Sequence, residues 1–399
     1  MGKDWTQLNR CTKFHDQGKL FSYPLKFKEI LLSTDILKVQ RFIRDYFYEQ
    51  FKKRLVRIND ICSFKEKAIN NFGRYLAEYY LLNYTEKIWE LPASDISSYW
   101  FEQRIKSLSL PVVIKNLVFS PKEQCRSLVN YFYYPKKGIG SIYEKIKNVI
   151  LAKGAIKLNS FPKEIFHNGN RIKKIIINEN GLESVYYPKY VVSSIPISEF
   201  LSLLNPLPPK EIIQATNKLR FRSHISLFIT IDRNSFSPCQ WIYFYDKKIP
   251  FGRITEPKNF SEEMSPEGKT SLLLEFFCWA DDEIYNMNKN ECLELALPWL
   301  ESLGFLKRGD IMDYYLHKEK FAYPVYTLDY KKYLEKIKAY LSIFENLITI
   351  GRAGCFGYNN QDHAIEMGKL AAQSIINNKS YHLMIDSIGA EAKYLENEE

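Results

Sequence analysis

The stretch from Asn346 to Gly368 constrains the fold more than any other: an apolar run, three glycines at 351, 354 and 357, then a helical pattern to about residue 376. That order predicts a buried strand, a sharp turn and a helix. A helix starting there presents N–H groups without intrahelical acceptors and the positive end of its dipole, which suits an anion or the electron-rich edge of a cofactor.

The rest of the chain alternates helices and strands. Phe64, Ala68, Ile69, Phe72, Tyr75, Leu76 and Tyr79 recur at helical spacing, predicting one or two helices over 63–89, opened by a capping box of Ser63 with Glu66. Short β-branched runs at 155–158, 171–177 and 190–195 read as strands, with Asn168-Gly169 and Asn180-Gly181 as hairpin turns. The proline-rich piece 205–209 reads as a linker or domain crossing. Beyond it, helices are expected near 209–220, 289–303 and 361–376, and strands near 223–232, 240–246, 270–279 and 346–350, ahead of a loosely held polar tail. The fold class is therefore α/β, or mixed α+β, with more than one sheet.

Composition excludes several alternatives. Apolar residues at 46% and aromatics at 15% rule out a disordered chain. The charge of +10, from 56 basic against 46 acidic residues, is dispersed and reads as a solvated basic surface, with anionic substrates, phosphates or a membrane face as the sharper reading. Nucleic acid is not expected as a partner. The seven cysteines, at 11, 62, 125, 239, 278, 292 and 355, stand singly, so neither a zinc site nor a disulfide framework is expected, and a reducing, cytoplasmic location fits. No run reaches the ~18 apolar residues that span a bilayer, so membrane contact is expected to be at most peripheral.

On the residues after Asn346 the chain resembles FAD-dependent oxidoreductases of the protoporphyrinogen oxidase and amine oxidase type, shading into UDP-galactopyranose mutase-like proteins. That family closes its flavin site with a strand, G-R-x-G, an aromatic pair and an N/D-x-D stretch entering a helix. Gly351, Arg352, Gly354, Phe356, Tyr358, Asn360 and Asp362 match it, whereas Gly357 and Gln361 stand where the family has Arg and Met. Further segments follow in the family's order: Y-T-E-K-I-W at 84–89, Y-P-K-K-G-I-G at 134–140, V-V-S-S-I-P at 191–196, F-G-R-I-T-E-P-K-N-F at 251–260, and Tyr323-Pro324-Val325. The resemblance implies cofactor contacts from Gly351, Arg352, Gly354, Tyr358, Asn360, Asp362, Ala364 and Ile365. It implies substrate contacts from Trp89, Arg253, Tyr323 and Phe356, and assigns no catalytic residue and no metal ligand.

The family opens with a strand, G-x-G-x-x-G and a helix that seat the FAD pyrophosphate. No G-x-G-x-x-G occurs here, and only 17 residues are glycine. The resemblance begins near Lys19 to Leu25, which in the family follows that lobe. The expectation is a truncated FAD-linked oxidoreductase fold: a mainly helical substrate segment at 1–148, an incomplete Rossmann-like lobe at 149–204 and 343–380, a substrate domain of antiparallel sheet plus helices at 205–342, and a tail at 381–399. Such a chain binds FAD weakly alone, or completes its site with a separately encoded N-terminal FAD-binding fragment. The implied function is a flavin-dependent, oxidoreductase-like one, with hydride passing from a small-molecule substrate's carbon to FAD N5. UDP-galactopyranose mutase-like action on a nucleotide sugar is the runner-up, favoured by Arg253 and Tyr323. A truncated, noncatalytic family member is the third reading.

Overall fold

A computed structural model describes residues 3–16, 18–22, 36–55, 63–104, 131–379 and 382–388. The chain divides into two compact units, one of Met1–Ile146 with Arg222–Lys320 and one of Lys147–Phe221 with Phe321–Glu399. Residues 23–25, Cys62 and Cys125, which enter the reading above, lie outside the described residues.

The first unit is built on a seven-stranded sheet in the order Ile311–Pro324, Phe221–Ile231, Thr270–Cys278, Arg253–Thr255, Trp241–Phe244, Thr12–Asp16 and Lys19–Ser22. Alternation explains its core: Ile225, Leu227, Ile229 and Ile231 share one face with Leu272, Leu274, Phe276 and Cys278 of the antiparallel neighbour. Against that face the helix Lys289–Ser302 packs Cys292, Leu293, Ala296 and Leu300, spaced by three and four residues. Trp241–Phe244 runs parallel to Thr12–Asp16, and Cys11, just before that strand, is disulfide-bonded to Cys239. The expectation that the cysteines stay unbridged is corrected here, because two solitary cysteines 228 residues apart leave no local mark of pairing.

The capping box at Ser63 and Glu66 is formed in both directions. The helices expected over 63–89 run as Phe64–Phe72, a short turn at Arg74–Leu76, a π-helical turn at Ala77–Leu82 and Asn83–Trp89.

The second unit holds a four-stranded sheet in the order Leu182–Tyr186, Arg171–Glu179, Ser160–Asn168 and Leu204–Asn205, and a parallel pair, Val191–Ser193 with Leu347–Thr349. Asn180 and Gly181 take the positive φ of the expected hairpin. The strand expected at 155–158 begins instead at Ser160, where pairing to Arg171–Glu179 starts. The 205–209 stretch stays inside this unit, adding a short parallel strand at Leu204–Asn205 and placing Pro209 at the N-cap of the helix Lys210–Thr216. Asn346, fully buried, joins the two sheets: its Oδ1 accepts from Ile172 N at 2.9 Å and its Nδ2 donates to Ile172 O at 3.0 Å. Part of the expected loose tail is ordered, since the helix His382–Ser387 brings Ile385 into the core, followed by Ile388. No helix among the described residues is long and apolar enough to cross a membrane.

Candidate functional site

In the second unit, Leu347–Thr349 lies in register with Val191–Ser193, so both strands end at the same edge, and Ile350 N donates to Ser193 O at 2.9 Å. The carboxyl edge of parallel strands is where open α/β sheets bind ligands. The chain turns there on Gly351, at φ +76°, into the short helix Gly351–Gly354. At Gly354 a Cβ would stand 2.9 Å from Ser193 O and 3.2 Å from Ser194 Cα, so only glycine permits this approach.

Asn360 then caps the helix Gln361–Asn377, its side chain accepting from His363 N while His363 Nδ1 accepts from Asn360 N at 3.1 Å. Asp362 occupies the first turn, where the dipole favours a carboxylate. Ala364 is half-buried and Ile365 exposed on the same helix.

Arg352 is fixed from several sides. Its Nε and Nη2 donate to Asn359 O at 3.0 and 2.6 Å, and its Nη1 donates to Ala322 O at 3.3 Å. The guanidinium lies 4.8 Å from the Tyr323 ring centre and 4.9 Å from that of Tyr358, and these two rings are nearly parallel, 5.8 Å apart. Tyr358 N donates to the Tyr326 hydroxyl at 2.7 Å, which anchors the loop carrying the cluster. The structure thus brings Tyr323 to Arg352 and Tyr358, which lie 29 and 35 residues further along the sequence.

Phe356 behaves differently. It is 1% exposed, with its ring edge-on to Phe221 at 4.9 Å, so it packs the core beneath the turn rather than facing a ligand. Cys355 is also buried, and burial pushes its thiol up to about 11 while the sulfur donates to Thr349 O at 3.3 Å.

In the first unit, Arg253 forms a forked pair with Glu275, whose other partner is His224 Nε2 at 3.1 Å. Burial alone would raise the Glu275 carboxyl, but the Arg253 charge, with the hydrogen bonds from His224 and Arg253, outweighs it and holds the group at about 2. The remaining Arg253 nitrogen donates to the Tyr243 hydroxyl at 3.4 Å, and the guanidinium sits 5.6 Å from that ring. Trp89 is 4% exposed and edge-on to Trp100 at 5.0 Å, a core position where substrate contact was expected.

Two neighbours of Trp89, Lys87 within the Y-T-E-K-I-W match and Arg222, were given no role by the sequence. Lys87 Nζ donates to the carbonyls of Phe244, Asp246 and Phe251 at 2.8–2.9 Å, and burial pulls its ammonium down to about 7. Arg222, 0% exposed, donates to Ile88 O, Phe277 O and Glu90. Glu275 had a signal, as the single charge in the apolar strand Thr270–Cys278.

A family model described as UDP-galactopyranose mutase matches residues 80–302, more than half of the chain. Among solved structures, that of a reduced UDP-galactopyranose mutase superposes with a TM-score of 0.79 at 20% identity, over 97% of this chain and 83% of that one. A protein from Exiguobacterium sp. described as a protoporphyrinogen oxidase gives 0.68 at 13% identity, over 95% and 83% of the two chains. Putrescine oxidase bound to putrescine gives 0.58 at 13% identity, over 94% and 83%. The fold is accordingly that of the FAD-linked oxidoreductases, and the chain belongs to the UDP-galactopyranose mutase family.

Proposed function

We propose that this chain is the flavin-ring and substrate-binding share of a flavoenzyme that acts on a nucleotide sugar. The observation that carries this reading is the meeting of Arg352, Tyr323 and Tyr358 one turn from the carboxyl edge of the parallel pair. A guanidinium held in one orientation beside two phenols matches the oxygens of a diphosphate ester.

The residues present fit the ring end of FAD. The edge is closed by a glycine turn without side chains at 351 and 354, and the capped helix leaves the Gln361 and Asp362 N–H groups without intrahelical acceptors. Gly351, Gly354, Asn360, Asp362, Ala364 and Ile365 would border the cofactor, whereas Arg352 and Tyr358, expected from the resemblance to touch it, are assigned in this reading to the substrate. The pyrophosphate end has no glycine fingerprint in this sequence. We assign that share to residues outside these 399, on a preceding segment or a separate chain.

When bound, FAD supplies the electron-pair chemistry, either attack by the reduced ring on the sugar's anomeric carbon or uptake of a hydride. Arg352, oriented by Asn359 and Ala322, holds the leaving diphosphate, and the two tyrosines shield that contact from water. In the first unit Arg253 is a second fixed cation, kept in place by Glu275. Hydride uptake is the second reading, favoured by Gly357, which leaves no mutase-type arginine between Phe356 and Tyr358.

The test is co-expression with a fragment carrying G-x-G-x-x-G, flavin quantification, and assay of the dithionite-reduced assembly for interconversion of UDP-galactopyranose and UDP-galactofuranose. Interconversion is expected, with Arg352→Ala slowing it by about a hundredfold or more. Flavin bleaching by a substrate without ring interconversion would move the assignment to the oxidase chemistry.

A further inference from the structure

Four adjacent strands of the first unit's sheet each set one side chain in a single row: Ser226, Glu275, Arg253 and Tyr243 stand opposite one another in register. Their strand neighbours, among them Ile225, Leu274 and Ile254, point into the core, so the row lies on the sheet's other face. His224, two residues before Ser226, shares that face and meets the row twice. Its Nε2 lies 3.1 Å from Glu275 Oε1, and its Nδ1 lies 3.3 Å from Ser226 Oγ.

The chemistry of Glu275 assigns the hydrogen on the ring. With its carboxyl held at about 2, Glu275 is a carboxylate and only accepts, so His224 Nε2 donates. The Ser226 hydroxyl then offers a donor to Nδ1, which keeps the ring in this tautomer. Glu275 Oε1 accepts from both His224 Nε2 and Arg253 Nη2, the latter at 2.6 Å, while Oε2 accepts from Arg253 Nε. The last torsion of a glutamate is soft, whereas an arginine fork needs carboxylate and guanidinium in one plane. The second contact on Oε1 opposes that rotation. His224 is 9% and Glu275 4% exposed, so solvent has little access to replace the bond. The Arg253 side chain, at 26%, is the charged member of the row that opens outward.

We propose that His224 is a positioning residue: acting through Glu275, it holds the Arg253 guanidinium in one orientation toward its ligand. This rests on the reading of Arg253 as a substrate-side cation and deepens it by naming what fixes that cation.

The test uses the isotope-labelled full chain. NMR of the His224 ring should find a hydrogen on Nε2, and a ring whose Nε2 carries none would overturn the proposal. The Arg253 Nε–H should exchange slowly with solvent in the native chain. In His224→Phe, which keeps a ring against Phe277 and removes both nitrogens, it should exchange about tenfold faster or more. His224→Gln, whose amide nitrogen stands at the Nε2 position, should restore slow exchange. His224→Asn, equally polar but one bond shorter, should not. Should His224→Phe fail to fold, the contrast of His224→Gln with His224→Asn carries the comparison. Equal exchange in all four chains would overturn the proposal. UDP binding separates the inference from the reading beneath it. Arg253→Lys, which keeps the charge and loses the fork, should weaken UDP binding about tenfold, and so should His224→Phe or His224→Asn. Weakening by Arg253→Lys alone would overturn the positioning role. No weakening by any of them, with the exchange pattern intact, would overturn the substrate reading of Arg253 and leave the positioning role standing.

Discussion

Glu275 is a carboxylate placed in an apolar strand, 4% exposed, and its ionisation is sustained by Arg253 and His224 against the cost of burial. The consequence is a pH dependence of definite sign. The unfolded chain protonates Glu275 near 4.5 and the native chain only near 2, so between these values the unfolded state binds more protons. The pair's contribution is fully present above pH ~4.5 and is lost as the pH falls toward 2. Urea unfolding of the native chain and of Glu275→Gln across that window isolates the term: the stability difference should shrink on acidification. Parallel pH profiles for the two chains would remove the pair from this role. The same fixation makes Arg253 a preset cation, so the variant should also weaken whatever anion that arginine holds.

At the scale of elements, the turn after Leu347–Thr349 depends on Gly354, whose missing Cβ lets the backbone sit against Ser193 and Ser194. Both nearest atoms are backbone, which cannot rotate aside, so Gly354→Val should cost about 1–3 kcal/mol and loosen the Val191–Ser193 pairing. Denaturation midpoints together with amide exchange at Val192 and Ser193 check this; unchanged exchange with lowered stability would place the strain elsewhere. This turn was legible in the sequence because its signals are local: a β-branched run, glycines at the bend and Asn360 before the helix. The Ser63 capping box and the Asn180-Gly181 hairpin were legible for the same reason. What escaped depends on distant partners. The strand Ser160–Asn168 is polar, with Ile165 its only fully buried residue, so its apolar pattern is faint and the reading settled on 155–158 instead. Phe356 carries the same local motif whether its ring faces a ligand or Phe221, and only packing decides. The Asn346 side chain joins strands 174 positions apart in sequence, and Lys87 holds carbonyls more than 150 residues away, separations that no local pattern reports.

Across the whole molecule, the contacts proposed for a flavin ring and a nucleotide sugar stand in a sequence without the glycine fingerprint for the cofactor's phosphates. A complete dinucleotide lobe gains affinity from backbone N–H groups and a helix dipole aimed at the pyrophosphate, each charge-assisted hydrogen bond being worth about 1.5–3 kcal/mol. Two or three such bonds make the adenylate half of FAD worth a factor of a hundred or more over the bare ring, by order of magnitude. The 399-residue chain should therefore bind FAD no more than about tenfold more tightly than riboflavin, as read by quenching of flavin fluorescence. Adding a fragment with G-x-G-x-x-G should raise the affinity for FAD and leave that for riboflavin nearly unchanged, because only the former has phosphates to offer the new lobe. Arg352→Ala should leave that ratio intact, since its neighbours Tyr323 and Tyr358 are assigned to the substrate's diphosphate and not to the cofactor's. A chain that alone prefers FAD by about a thousandfold must hold the pyrophosphate with residues of its own, and the division of labour proposed for it would then be abandoned.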